Sequence, residues 1–256
     1  MSGRELLVVD GISKTFGGHQ ALKQVSFALQ SGCICGLIGP NGAGKTTLFN
    51  CLAGFLKPDS GRILLDGRNV CGLPSSAMFT AGIARTFQIP RPFPNMSVLD
   101  NVMVAATAQA GERFWNNWLR PKLVREQEGK NEEAARHWLN FVGLSEWEQK
   151  PARILSGGQR KLLELARVML SNPRLVLLDE PGAGVNPVLL DRIVDRISML
   201  NAEGTTFLII EHNMDLVASL CNPVMVMAEG QMLMAGDAAT VLSDPRVIAA
   251  YLGTAA

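Results

Sequence analysis

No apolar run in these 256 residues approaches the about 20 needed to cross a bilayer. Its apolar stretches, such as Leu175-Val176-Leu177-Leu178 and Phe207-Leu208-Ile209-Ile210, have the length of buried strands in a parallel sheet. Net charge is also missing. Twenty-four Lys and Arg stand against 23 Asp and Glu, a formal +1, so neither nucleic acid nor anionic lipid is the expected main partner. The start, Met1-Ser2-Gly3-Arg4-Glu5, has no cationic segment followed by an apolar one, and no signal peptide is expected. Cysteine is sparse and odd in number, at five. Cys33 and Cys35, two apart in an expected strand, would share one face. No second cysteine pair or histidine cluster accompanies them, so they read as small buried hydrophobes rather than half of a metal site. A reduced, cytoplasmic chain is therefore expected. Tandem repeats, low-complexity tracts and sustained heptads are absent as well.

What is present suffices for a full core: 47% hydrophobic and 18% charged residues, in a length that fits one large domain or a domain with an inserted lobe. Leu6 to Val9 and Val25 to Leu29 read as strands, with Gly17-Gly18 as a turn signal between them. Cys33 to Ile38 is a third, nearly all apolar. The pattern then predicts a helix over Thr46 to Gly54, a turn at Lys57 to Gly61 and a strand from Arg62 to Asp66. From Ser97 to Gly143 it turns helical, with Ser97 as N-cap and Asp100 in the first turn. Strands and helices alternate again through Arg174–Asp179, Val188–Leu200 and Thr206–Ile210. Val224 to Met234, broken at Glu229-Gly230, reads as a hairpin. This is the pattern of an α/β fold carrying a helical subdomain.

Three motifs carry chemistry. Gly39-Pro40-Asn41-Gly42-Ala43-Gly44-Lys45-Thr46, with Thr47 after it, matches a phosphate-binding loop between a strand and a helix. Its glycines let backbone amides converge on phosphate oxygens, and the helix adds its positive end. Lys45 supplies a point charge, and the Thr46 hydroxyl a ligand for Mg²⁺. An apolar strand delivers Asp179 to the edge of a sheet, where it can hold Mg²⁺ through water, and Glu180 next to it can activate or orient an attacking water. In Leu155-Ser156-Gly157-Gly158-Gln159 a serine and two glycine amides open another helix with no strand before it. One ATP does not need two such cradles, so the second is expected to close on a nucleotide held by another subunit.

These motifs, in this order and with Glu211-His212 after them, resemble those of ABC transporter ATPases over essentially the whole chain. The resemblance implies a P-loop (RecA-like) core with a small antiparallel β region over 1–95 and 172–256. The inserted helical subdomain would then be 96–171, which includes the signature loop. It implies ATP and Mg²⁺ as ligands and gives Gln88 the place that touches metal and water and couples to membrane subunits. His212 takes the place beside the γ-phosphate, and Phe16 that of the aromatic ring stacked on adenine, where tyrosine is commoner. Asn186 stands where many members carry an aspartate, so that position brings no charge to a subunit interface.

Gly82 to Arg91, a long polar insertion over Ala108–Lys130, and the ending Asp244 to Gly253 are similar to the LivG-type ATPases of branched-chain amino acid importers. Urea-type and lipopolysaccharide-export ATPases are near relatives of that branch. The implied partners are a second ABC ATPase, integral membrane permeases and, indirectly, a solute-binding protein, at the cytoplasmic side of the inner membrane. Non-transport ABC proteins of DNA repair or translation usually add coiled coils or a second cassette, and neither is seen. In the insertion, Phe114, Trp115 and Trp118 are spaced to share part of a helical face. They read either as a docking patch or as an anchor onto the helical subdomain.

Overall fold

The computed structural model describes residues 4–86, 91–107, 115, 118 and 120–252. The chain divides into two compact units, one of Met1–Arg85, Arg174–Ala183 and Ile197–Ala256, the other of Thr86–Pro173 and Gly184–Arg196.

The first unit holds two sheets. β1 (Glu5–Phe16) and β2 (His19–Gln30) are twelve-residue strands, far longer than the apolar runs that signalled them. With β4 (Ser60–Leu65) and β5 (Arg68–Asn69) they form an antiparallel sheet in the order β2-β1-β4-β5. The length was hidden because polar residues such as Asp10 and Lys14, only partly buried, interrupt the buried Leu7, Val9 and Ile12. The second sheet runs β10-β9-β3-β8-β7-β6. Its central strands β3 (Ile34–Ile38), β7 (Leu175–Asp179) and β8 (Thr206–Ile210) are buried at every residue, as a parallel sheet covered on both faces requires. The short β6 (Ile83–Arg85) runs parallel to β7. β9 (Val224–Ala228) runs parallel to β3, and β10 (Gln231–Gly236) returns antiparallel as the expected hairpin.

Register aligns the strand ends. Leu37 of β3 and Asp179 of β7 both pair with Ile210 of β8, so the three strands end side by side. Ligands of such sheets bind beyond these carboxyl ends. The helices of this unit include α1 (Lys45–Leu52), which leaves the phosphate loop after β3, and α2 (Ser75–Ala81), which gave no clear periodic signal.

In the second unit α3 (Val98–Met103) begins at Ser97, whose hydroxyl accepts from the Asp100 amide at 2.9 Å, the cap expected there. α3 and α4 (Pro121–Phe141) pack on α5 (Gly157–Leu170), and Ala135 and Leu139 of α4 and Leu163 and Ala166 of α5 are fully buried. α6 (Pro187–Ala202) starts in this unit. The first unit ends with α7 (Met214–Leu220), α8 (Ala238–Ser243) and α9 (Pro245–Leu252). Among the described residues no helix is long and apolar enough to cross a membrane.

Candidate active site

Asn41 to Thr47 line a cavity of about 350 Å³ together with Phe16, His19, Ala21, Glu180, Ile210 and His212. The loop preceding α1 is built for close approach. At Gly39, φ is +149°, and a Cβ would stand 2.1 Å from the Met227 carbonyl oxygen. No other residue fits there.

Lys45 is 6% exposed, and its ammonium donates to the Gly39 and Pro40 carbonyls at 2.6 and 2.9 Å. Burial pulls its pKa down, opposed by the Glu180 and Asp179 carboxylates. Its charge is thus held at the mouth of the loop by weak acceptors that an anion can replace. Thr46, one residue on, is exposed in the same cavity.

Asp179 ends β7 with its carboxylate buried, Oδ2 accepting from the Arg85 guanidinium at 2.8 Å. Glu180 comes next in a left-handed backbone conformation, φ +51°, which non-glycine residues rarely adopt. One carboxylate oxygen lies 3.0 Å from His212 Nε2. The expected base and the expected histidine therefore meet, although they leave different strands. Phe16, which could equally have been a core residue, is 44% exposed on the cavity wall. Gln88 lies outside the described residues.

The signature loop sits at the start of α5. The Ser156 amide donates to Gln159 Oε1 at 2.9 Å and the Gln159 amide to Ser156 Oγ at 3.3 Å, a reciprocal capping box. A Cβ at Gly157 would meet nothing within 4 Å, whereas one at Gly158 would strike the Leu189 side chain. Asn186 accepts from the Leu189 amide at 3.0 Å and caps α6, a task an aspartate would perform equally well. Of the insertion's aromatics, Trp115 and Trp118 are 70% and 84% exposed, and Phe114 lies outside the described residues.

Three contributors received no role from sequence reasoning. Arg85 is the one charged residue of its short buried strand, and a buried cation implies an acid nearby. Glu211, 4% exposed, is the strand-exit acid next to the histidine. Tyr251 on α9, the sole tyrosine, accepts a 2.7 Å hydrogen bond from the Gly39 amide, and no local pattern announced it.

A phosphate loop after a buried parallel strand, with an Asp-Glu pair at the end of the strand next but one in the same sheet, defines a P-loop nucleotide hydrolase. The sequence pattern of the family described as "ABC transporter" matches residues 22–183. That of "Branched-chain amino acid ATP-binding cassette transporter" matches residues 231–256. The chain is 40% identical over 253 residues to a high-affinity branched-chain amino acid transport ATP-binding protein, BraF, of Pseudomonas aeruginosa, across 98% of this chain and 99% of that one. It is 39% identical over 251 residues to LivG, described in the same terms, of Escherichia coli K12, across 98% of each. Among solved structures, a nucleotide-free ATP-binding cassette from an ABC transporter superposes with a TM-score of 0.83 at 36% identity, covering 95% of this chain and 97% of that one. The ADP conformation of such a cassette also scores 0.83 at 36% identity, covering 97% and 99%. The chain belongs to the ABC transporter family of ATPases.

Proposed function

We propose that this chain is one of two ATPase subunits that power an importer of branched-chain amino acids, held at the cytoplasmic face of the membrane by its permeases. The observation that carries the hydrolytic half is the cavity at α1, where Lys45, Thr46, Glu180 and His212 line one space. The phosphates rest on the amides of Asn41 to Thr47, and Lys45 exchanges its carbonyl partners for phosphate oxygens. Phe16 offers its ring face to the adenine.

The residues present fit Mg²⁺. The Thr46 hydroxyl and the Asp179 carboxylate are hard oxygen donors, and among the described residues no group of three His, Cys, Asp or Glu could hold a metal unaided. A cation that keeps waters and phosphate oxygens and takes one or two protein ligands suits such a set. When bound, it neutralises charge on the terminal phosphates. Glu180 orients or deprotonates the attacking water, and His212, in contact with it, sits at the γ-phosphate position. Gln88 is assigned the contact that passes the nucleotide state to the permeases.

Ser156, Gly157, Gly158 and Gln159 are assigned to the partner subunit's nucleotide. Gly157, with open space beside it, supports this reading, because an amide free of side chain can approach a phosphate closely. The solute assignment rests on the match over 231–256 and on what the relatives transport. A solute-binding protein would deliver it; nucleic acid has no part.

The test is reconstitution of this chain with its co-purifying membrane proteins and a solute-binding protein in vesicles. ATP-driven uptake of radiolabelled leucine, abolished by Lys45→Ala, is expected. Hydrolysis coupled to urea or an amide instead would overturn the solute, and hydrolysis absent from the complete assembly would overturn the function.

A further inference from the structure

Glu211 has no part in the hydrolytic scheme, yet the residue is 4% exposed and its carboxylate is bonded at both oxygens. Oε1 accepts from the Gly182 amide at 2.7 Å. Oε2 accepts from the His212 amide at 2.9 Å and the Asn213 amide at 3.3 Å. One carboxylate thus ties the loop after Glu180 to the turn that carries His212. Glu180 lies between two anchors from the same strand exit. Its own amide donates to the Ile210 carbonyl at 2.9 Å, and two residues later Gly182 is held by Glu211. Between them the backbone takes φ +51°, a conformation that persists only where the surroundings impose it.

We propose that Glu211 is a positioning residue for hydrolysis: by bridging the Gly182, His212 and Asn213 amides it holds Glu180 in its left-handed conformation and keeps its carboxylate 3.0 Å from His212. This rests on the reading of Glu180 and His212 as the hydrolytic pair. An acceptor-only side chain is required. Glutamine at 211 would turn an NH₂ donor toward amide donors, and alanine would leave the three amides without this partner. Nucleotide binding through the phosphate loop needs none of these contacts, so the effect should fall on turnover and spare affinity.

The experiment compares Glu211→Gln and Glu211→Ala with the wild type in the assembled transporter, measuring kcat, MgATP affinity and thermal midpoint. A drop in kcat of about tenfold or more is expected, with affinity within about threefold. Glu211→Gln combined with His212→Ala should lose less than the product of the two single losses, because the two share the Glu180–His212 contact. Turnover within about twofold of wild type, parallel loss of affinity and turnover, or additive losses in the double variant would each overturn the proposal. Amide exchange in the unaltered protein covers variants that fail to fold. Slow exchange at Gly182, His212 and Asn213 is expected, and exchange at the rate of an unprotected loop would overturn it. A wild type without turnover in the same assay would count against the ATPase reading instead.

Discussion

Arg85 and Asp179 form a 2.8 Å ion pair in which both side chains are less than a tenth exposed, at the carboxylate assigned to Mg²⁺. The same guanidinium donates to the Asn50 side chain on α1 and lies 5.7 Å and 5.8 Å from the ring centres of Phe49 and Phe55. β6, β7 and the phosphate-loop helix are thereby joined at one cation. Removing one partner of a buried pair leaves the other charge uncompensated. Arg85→Ala should therefore cost about 3–5 kcal/mol in denaturant unfolding. Arg85→Lys should recover only part of this, since an ammonium cannot bridge Asn50 and Asp179 as a planar fork does.

Glu180→Gln keeps the size of the side chain but not its basicity. ATP binding should persist while hydrolysis slows by roughly two to four orders of magnitude in a single-turnover assay. Turnover near wild type would remove Glu180 from the role of base.

Tyr251 is the only described group seen to accept from the Gly39 amide, and burial pushes its phenol pKa up while that amide pulls it down. Tyr251→Phe preserves the ring but leaves a buried N–H without its acceptor. A loss of about 1–2 kcal/mol of stability is expected, measured by chemical unfolding. No loss would mean that the α9 contact does not support the loop.

Gly39→Ala would drive a methyl group into the Met227 carbonyl, so the phosphate loop must move. Misplacement of that order should cost about a hundredfold in turnover. Gly157→Ala provides the contrast. It has open space in this chain, so stability should hold within about 0.5 kcal/mol by thermal unfolding, while turnover of the assembled pair falls.

How much was legible beforehand depended on whether the signal was local. The phosphate loop, the Asp179-Glu180 strand end and the Ser156 cap are contiguous strings whose chemistry derives from their order. The buried strands β3, β7 and β8 announced themselves as apolar runs. β1 and β2 were signalled only over part of their length, because one-sided burial interleaves polar residues such as Asp10 and Lys14 with the core. β6 is too short for any periodicity. The contacts Arg85–Asp179, Glu211–Gly182 and Tyr251–Gly39 join residues far apart in the chain and could not be read from any contiguous string. Tyr251 and Gly39, for instance, are separated by 212 positions.

The most direct test of the two-subunit site is the ATP affinity of Ser156→Arg as a single chain, measured beside the turnover of the assembled pair. Affinity within about twofold of wild type is expected, since this chain's nucleotide rests on its own phosphate loop, while turnover drops about a hundredfold or more. A tenfold or greater loss of affinity in the single chain, or turnover left intact in the pair, would contradict the assignment of Ser156 to the partner's nucleotide.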